Sequence, residues 1–160
     1  MKWAAYLGTF DPITYGHIDV IERASRIFDK LLISVVCNTD PKKGLFGIEE
    51  RVDMAKKAVK HLSNVEVEPF SGLAVNYVKK KGINVIVRGL RMVSDFEYEF
   101  QMALTNRKLD KDIETIFLMP SESYSYISSK LIKEAASLGA DVKDFVPDFV
   151  KKALAKKQKK

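Results

Sequence analysis

The residues best suited to chemistry lie in Gly8-Thr9-Phe10-Asp11-Pro12-Ile13-Thr14-Tyr15-Gly16-His17, between an apolar run and a helical pattern. Gly8 lets a ligand approach the backbone, and Pro12 stiffens the turn. Gly16-His17 opens a helix whose unpaired N–H groups and positive dipole end suit a phosphate, which His17 would face. A Gly-His pair in isolation reads more readily as a tight turn in which His17 caps the helix, but the rest of the loop reverses that preference in favour of an anion site. Arg88-Gly89-Leu90-Arg91 follows the apolar run Ile83 to Val87, so two guanidinium groups emerge where a strand ends. Either arginine alone is explained as well by an ion pair with a helix carboxylate; their spacing around a glycine suits an anion better. Asp40-Pro41-Lys42-Lys43-Gly44 adds a lysine pair of the kind usually solvated in a turn. Pro120 to Tyr126 leads into Ile127-Ser128-Ser129-Lys130, where hydroxyls and N–H groups at a helix start can hold phosphate oxygens. A serine N-cap would account for one of these serines and leave the other, with Lys130, unused.

Positioning these loops requires strands that end at one rim. Apolar runs alternate with helical periodicity along the chain, the mark of βα units in a parallel sheet. Five strands are expected, at Trp3 to Leu7, Leu31 to Val36, Val65 to Glu68, Val85 to Val87 and Thr115 to Met119. Ile18, Ile21, Ala24 and Phe28 recur at helical spacing, as do Val52, Ala55, Ala58 and Val59, and then Phe96, Phe100, Ala103 and Leu104. All three faces are expected to be core. Ser94 and Glu97 read as a capping box, and Lys79-Lys80-Lys81-Gly82 as a helix end. Phe145, Val146, Phe149, Val150, Ala153 and Leu154 read as a last amphipathic helix, with Pro147 in its first turn. The expected fold class is α/β: a single-domain Rossmann-like, doubly wound, five-stranded parallel sheet with a C-terminal helix, spanning residues 1–160. Residues 151–160 are expected to form a lysine-rich helical tail. Ligands of such sheets bind at the carboxyl ends of the strands.

The bulk composition restricts the partners. The chain has 160 residues, 46% hydrophobic and 30% charged, values typical of one globular domain. Six of its 27 basic residues are lysines between Lys151 and Lys160, and the remaining 21 match the 21 acidic ones. The net charge of +6 is therefore confined to the tail, which reads as a solvated helix end rather than a nucleic-acid or membrane surface. No run approaches the 18 or so apolar residues of a spanning helix, and no signal peptide is read, so the cytoplasm is expected. The lone Cys37 reads as a small buried apolar side chain.

Thr14-x-Gly16-His17 at one helix start and Ser128-Ser129 at another resemble the signatures of the nucleotidyltransferase superfamily. With Glu49-Glu50-Arg51, Arg88-Gly89-Leu90-Arg91, Asp95-Phe96-Glu97-Tyr98-Glu99 and Ile127-Ser128-Ser129, the chain is similar to the phosphopantetheine adenylyltransferases from its first strand to about Phe149. The resemblance implies a reversible, Mg²⁺-dependent transfer of AMP from ATP to 4′-phosphopantetheine, giving dephospho-coenzyme A and pyrophosphate. It implies that His17 is catalytic and donates to the α-phosphate. ATP would be held by Thr9, Phe10, His17, Gly89, Leu90, Arg91, Glu99, Tyr124, Ser125, Tyr126, Ile127, Ser128, Ser129 and Lys130. The acceptor would be held by Thr9, Lys42, Ala74 and Arg88. A homohexamer, with coenzyme A as a feedback inhibitor, is also implied. No protein-made metal cage is expected, and Mg²⁺ would ride on the phosphates; Asp11 reads as a turn residue. A phosphate monoester, with its second pKa of about 6, needs no base to attack. The alternatives are a sister enzyme using another small phosphate, such as a nicotinamide mononucleotide or glycerol phosphate, and a nucleic-acid-binding module. Thr14 separates the sisters, several of which carry histidine at that position.

Overall fold

The computed structural model describes residues 1–37 and 44–158. Five strands, β1 (Trp3–Gly8), β2 (Lys30–Val36), β3 (Val65–Phe70), β4 (Val85–Gly89) and β5 (Glu114–Leu118), form one parallel sheet in the order β3-β2-β1-β4-β5. The helices are α1 (Tyr15–Ile27), α2 (Ile48–Val59), α3 (Ala74–Lys80), α4 (Val93–Leu109), α5 (Ser129–Ser137) and α6 (Asp148–Gln158). A 3₁₀ turn spans Glu122–Tyr124. The sheet grows from β1 to β3 on one side and from β4 to β5 on the other, so the order in which strands are added reverses between the adjacent, parallel strands β1 and β4. That junction is where open α/β sheets bind ligands.

Side chains of β1 alternate between two cores. Ala4 and Tyr6 join α1, α2, α5 and α6, while Ala5 and Leu7 join α3 and Ile113. A strand buried on both faces needs apolar residues throughout, and small ones where helices press close. Ala4 and Ala5 are fully buried. The expected faces of α1 and α2 point inward as read: Ile21, Ala24, Phe28, Ala55, Ala58 and Val59 are all buried. Lys81 and Gly82 close α3, and Gly82 adopts the left-handed φ of +69° that the turn requires.

Three expectations need correction. The stripe Phe96, Phe100 and Leu104 of α4 faces outward, each side chain about 45% exposed. The inward face carries Glu99 and Asn106 instead, because the rim of β4 presents an arginine that needs a carboxylate. Ser94 lies inside α4 rather than at its N-cap; the helix starts at Val93, and Met92 occupies the cap without a side-chain bond. The last helix begins at Asp148, with the Pro147 carbonyl accepting from Val150 N and Lys151 N at 2.9 and 3.0 Å, so Phe145 and Val146 precede it. Val150 and Leu154 of α6 are buried, as the amphipathic reading of this helix requires. No helix among the described residues is long and apolar enough to cross a membrane.

Candidate active site

A cleft of about 370 Å³ opens at the carboxyl ends of β1 and β4. Its first wall is the loop after β1. Thr14 caps α1, its Oγ1 accepting from His17 N at 3.3 Å, while Thr14 N donates to His17 Nδ1 at 3.1 Å. A backbone N–H can only donate, so Nδ1 must be the unprotonated nitrogen and the proton sits on Nε2. The ring stands edge-on to Phe10, with centroids 5.0 Å apart, and lines the cleft. Burial, reinforced by Arg91 and then Arg88, pushes its pKa down to about 3. His17 is therefore a neutral donor throughout the physiological range, and both readings of it hold at once: it closes the cap through one nitrogen and faces the cleft. Phe10 itself has a φ of +48°, uncommon for a residue with a side chain. Its ring lies over Gly8, where a β-carbon would come within 2.8 Å of it, so only glycine fits there.

The second wall is the end of β4. Arg88 forms a bidentate pair with Glu99 of α4, Nε to Oε2 at 2.8 Å and Nη2 to Oε1 at 2.6 Å, and donates through Nη1 to the Leu7 carbonyl at 2.5 Å. Both side chains are largely buried. Of five guanidinium N–H groups, three are engaged, which leaves one on each terminal nitrogen. Arg91 donates to the Ile127 carbonyl at 2.6 Å and pairs with Asp95 at 3.3 Å. The ion-pair explanation of these arginines is thus realised, and both still line the cleft. They stand on the same side of the molecule as His17.

The third wall is the start of α5. Ser128 is the N-cap and accepts from Leu131 N, while Ser129 Oγ donates to the Pro12 carbonyl at 2.8 Å, tying α5 to the first loop. Lys130 lines the cleft with no ion pair among the described residues.

Two buried groups that the sequence did not place in the site, Asp11, which reads there as a turn residue, and Arg51, hold the walls in register. The Asp11 carboxylate, 4% exposed, accepts from Leu45 N and Phe46 N, each at 2.9 Å, and from Lys133 Nζ of α5 at 2.9 Å. Burial alone would raise its pKa, but these donors, the Lys133 ammonium first, hold it below the usual carboxylate range. Arg51 of α2, 2% exposed, donates to the carbonyls of Phe46, Thr9 and Val36 at 3.1, 2.8 and 2.8 Å. An arginine on the apolar face of a helix, four residues after the glycine that caps it, was the available signal for it.

Of the residues singled out above, the cleft brings together Thr9, Phe10, His17, Arg88, Gly89, Arg91, Glu99, Ile127, Ser128, Ser129 and Lys130. Ala74 lines a separate apolar cavity of about 110 Å³ between α3, α4 and the sheet, and Arg88, Glu99 and Leu7 form the wall the two share. Leu90, Tyr124, Ser125 and Tyr126 stand outside the cleft. Leu90 N donates to the Leu118 carbonyl, the Ser125 hydroxyl to the Glu122 carbonyl, and Tyr126 is exposed against Phe145. The Tyr124 carbonyl closes over Gly16, where a β-carbon would meet it at 3.4 Å. Lys42 lies outside the described residues.

Among the described residues no three His, Cys, Asp or Glu side chains gather as a metal site. The cleft's carboxylates, Asp11, Asp95 and Glu99, are each engaged with a lysine or an arginine. This donor set suits an anion and does not fit a cage for a bare divalent cation.

Residues 5–135 match the family model described as cytidylyltransferase-like. The phosphopantetheine adenylyltransferase of Caldanaerobacter subterraneus subsp. tengcongensis is 53% identical over 160 residues, covering all of this chain and 99% of that one. The enzyme of the same name from Clostridium botulinum strain Eklund 17B is 56% identical over 147 residues, 92% of each chain. Among solved structures, a putative nicotinate-nucleotide adenylyltransferase from Vibrio parahaemolyticus superposes with a TM-score of 0.73 over 97% of this chain and 99% of that one. A bifunctional NMN adenylyltransferase/ADP-ribose pyrophosphatase from Francisella tularensis gives 0.71 over 99% of this chain and 49% of that one. At 21% and 18% identity, these two likenesses establish the fold alone. By its family match and its full-length relatives, the chain belongs to the phosphopantetheine adenylyltransferase family of cytidylyltransferase-like nucleotidyltransferases.

Proposed function

We infer that the chain transfers the adenylyl group of ATP to 4′-phosphopantetheine, reversibly, giving dephospho-coenzyme A and pyrophosphate in the penultimate step of coenzyme A synthesis. The observation that carries this reading is the convergence on one cleft of a neutral histidine donor, two guanidinium groups with N–H groups to spare and an unpaired lysine. An acceptor phosphate oxygen attacks the α-phosphorus, the O–P bond forms as the bridge to the β-phosphate breaks, and pyrophosphate leaves. The acceptor is already ionised, so the protein's task is to align two anions and stabilise the charge between them. His17 Nε2–H would donate to the α-phosphate as charge grows there. Arg88 would hold the acceptor phosphate, and the pantetheine arm would run past Glu99 into the cavity lined by Ala74. Gly89, Arg91, Ser128, Ser129 and Lys130 would receive ATP. Glu99, whose two oxygens are spent on Arg88, would act chiefly by orienting that arginine.

Mg²⁺ would enter on the polyphosphate, where it neutralises charge, and would take its ligands mainly from phosphate oxygens. The cytoplasm, inhibition by coenzyme A and a homohexamer belong to the same reading. The test is to incubate the protein with ATP, Mg²⁺ and a panel of acceptor phosphates and measure pyrophosphate. Release with 4′-phosphopantetheine, and not with nicotinamide mononucleotide or glycerol phosphate, is expected. Equal turnover of all three acceptors would reject the assignment.

A further inference from the structure

Tyr6 belongs to β1, and no step above uses it. The alternation of that strand sends Tyr6 to the α1 side, with Phe10 and Val20, and away from the cavity lined by Ala74. The side chain is 5% exposed, and its ring meets Phe10 edge-on at 5.3 Å and 88°. Its hydroxyl lies 3.1 Å from where a β-carbon on Gly89 would stand, so the phenol tip sits beneath the end of β4, and it lines the same cleft as His17, Arg88 and Arg91.

Among the described residues this hydroxyl has no hydrogen-bond partner. It is not sealed off either, in contrast to the orphaned Trp3 Nε1 and Thr115 Oγ1. Buried tyrosine hydroxyls ordinarily find a partner, and phenylalanine would fill the same apolar space without the desolvation penalty. A hydroxyl kept in this place and left unpaired by the protein is paired by what enters the cleft.

We propose that Tyr6 is a further substrate-contacting residue, its hydroxyl donating a hydrogen bond to a non-bridging oxygen of the phosphate bound among His17, Arg88 and Arg91. The phenol keeps its proton for that purpose, because burial outweighs the pull of the two arginines and pushes its pKa up to about 12. The same donor chemistry would serve the α-phosphate of the nucleotide or the phosphate of the acceptor. The orientation of Tyr6 toward α1 and His17, opposite to that of Leu7 and Arg88, points to the α-phosphate. The proposal rests on the adenylyl-transfer reading.

Tyr6→Phe tests it, since only the hydroxyl is removed. The ligand-free variant is expected to melt at or above the wild-type temperature, because no internal hydrogen bond is lost. Its kcat/KM should fall about tenfold to a hundredfold, the range for a bond to a charged group. Titration calorimetry with Mg-ATP alone and with 4′-phosphopantetheine alone separates the sources: weaker ATP binding assigns the α-phosphate, weaker acceptor binding the acceptor phosphate. Unchanged affinities with a reduced kcat assign a contact made only as charge develops. Wild-type kcat/KM and both wild-type affinities in the variant would overturn the proposal, as would a melting temperature lowered by several degrees. A wild-type protein that released no pyrophosphate would reject the transfer reading, and the Mg-ATP titration would still report on Tyr6.

Discussion

At the scale of single residues, His17 and Arg88 each hold an interaction within the fold and a place in the cleft. His17 titrates near 6.5 in the unfolded chain and near 3 in the folded one. Between those values the unfolded chain binds more protons, so this residue's contribution to stability is present above about pH 6.5 and is lost as pH falls toward 3. Urea denaturation at pH 7 and pH 4.5 should therefore show a smaller loss for His17→Asn than for the wild type; an identical loss would place the wild-type pKa near its ordinary value. In turnover, His17→Ala should cost about two to three orders of magnitude in kcat with little change in ATP affinity, as when an oxyanion donor is removed. Single-turnover kinetics would check this. Arg88→Lys keeps the charge and loses the fork, so one ammonium cannot serve both Glu99 and a phosphate. Acceptor affinity should fall about tenfold or more while ATP affinity stays the same, which titration calorimetry reads directly.

At the scale of elements, the cleft is held open by Arg51 and Asp11, neither of which needs to touch a ligand. Arg51→Met keeps the length and apolar bulk of the side chain but strands three carbonyls at the ends of β1, β2 and the loop before α2. A loss of about 3 kcal/mol or more is expected by chemical denaturation, since each buried unpaired group costs about 1–3 kcal/mol. A loss under 1 kcal/mol would show that water replaces the guanidinium. The strands and the motif loops were legible in the sequence because continuous apolar runs, glycines and an N-cap are local signals. Asp11 and Arg51 were not, because most of their partners are far away in the chain, 34, 35 and 122 residues from Asp11 and up to 42 from Arg51, and only the folded sheet brings them together. The two serines were half legible: Ser128 is the cap a serine usually makes, and Ser129 reaches Pro12 across 117 residues. On α4 the apolar period located the helix correctly and misread its orientation. Glu99 and Asn106 occupy the inner face because Arg88 at the end of β4 holds Glu99 there, an attraction between elements that periodicity does not encode.

At the scale of the whole molecule, that reversed helix leaves an apolar surface a lone chain does not cover. Phe96 and Phe100 stack with centroids 5.5 Å apart and planes 18° from parallel, Leu104 is exposed on the same face of α4, and Met92 is exposed at its N-cap. Contiguous apolar patches of this kind mark protein interfaces. Three of the tail lysines are paired within the chain: Lys151 with Asp141, Lys152 with Asp148, and Lys157 with Glu50 while lying over the Phe46 ring at 5.4 Å. The α4 stripe has no such partner, and self-association through it agrees with the proposed homohexamer. Phe100→Glu adds a charge to an already exposed position, so the isolated fold should tolerate it, and surface changes of this kind usually shift stability by about 0.5 kcal/mol or less. Light scattering after size exclusion should then give a smaller particle than the wild type, with the monomer's circular dichroism preserved. A variant of unchanged mass would move the interface off α4, and a wild-type protein already of monomer mass would remove the hexamer from the reading while leaving the cleft as described.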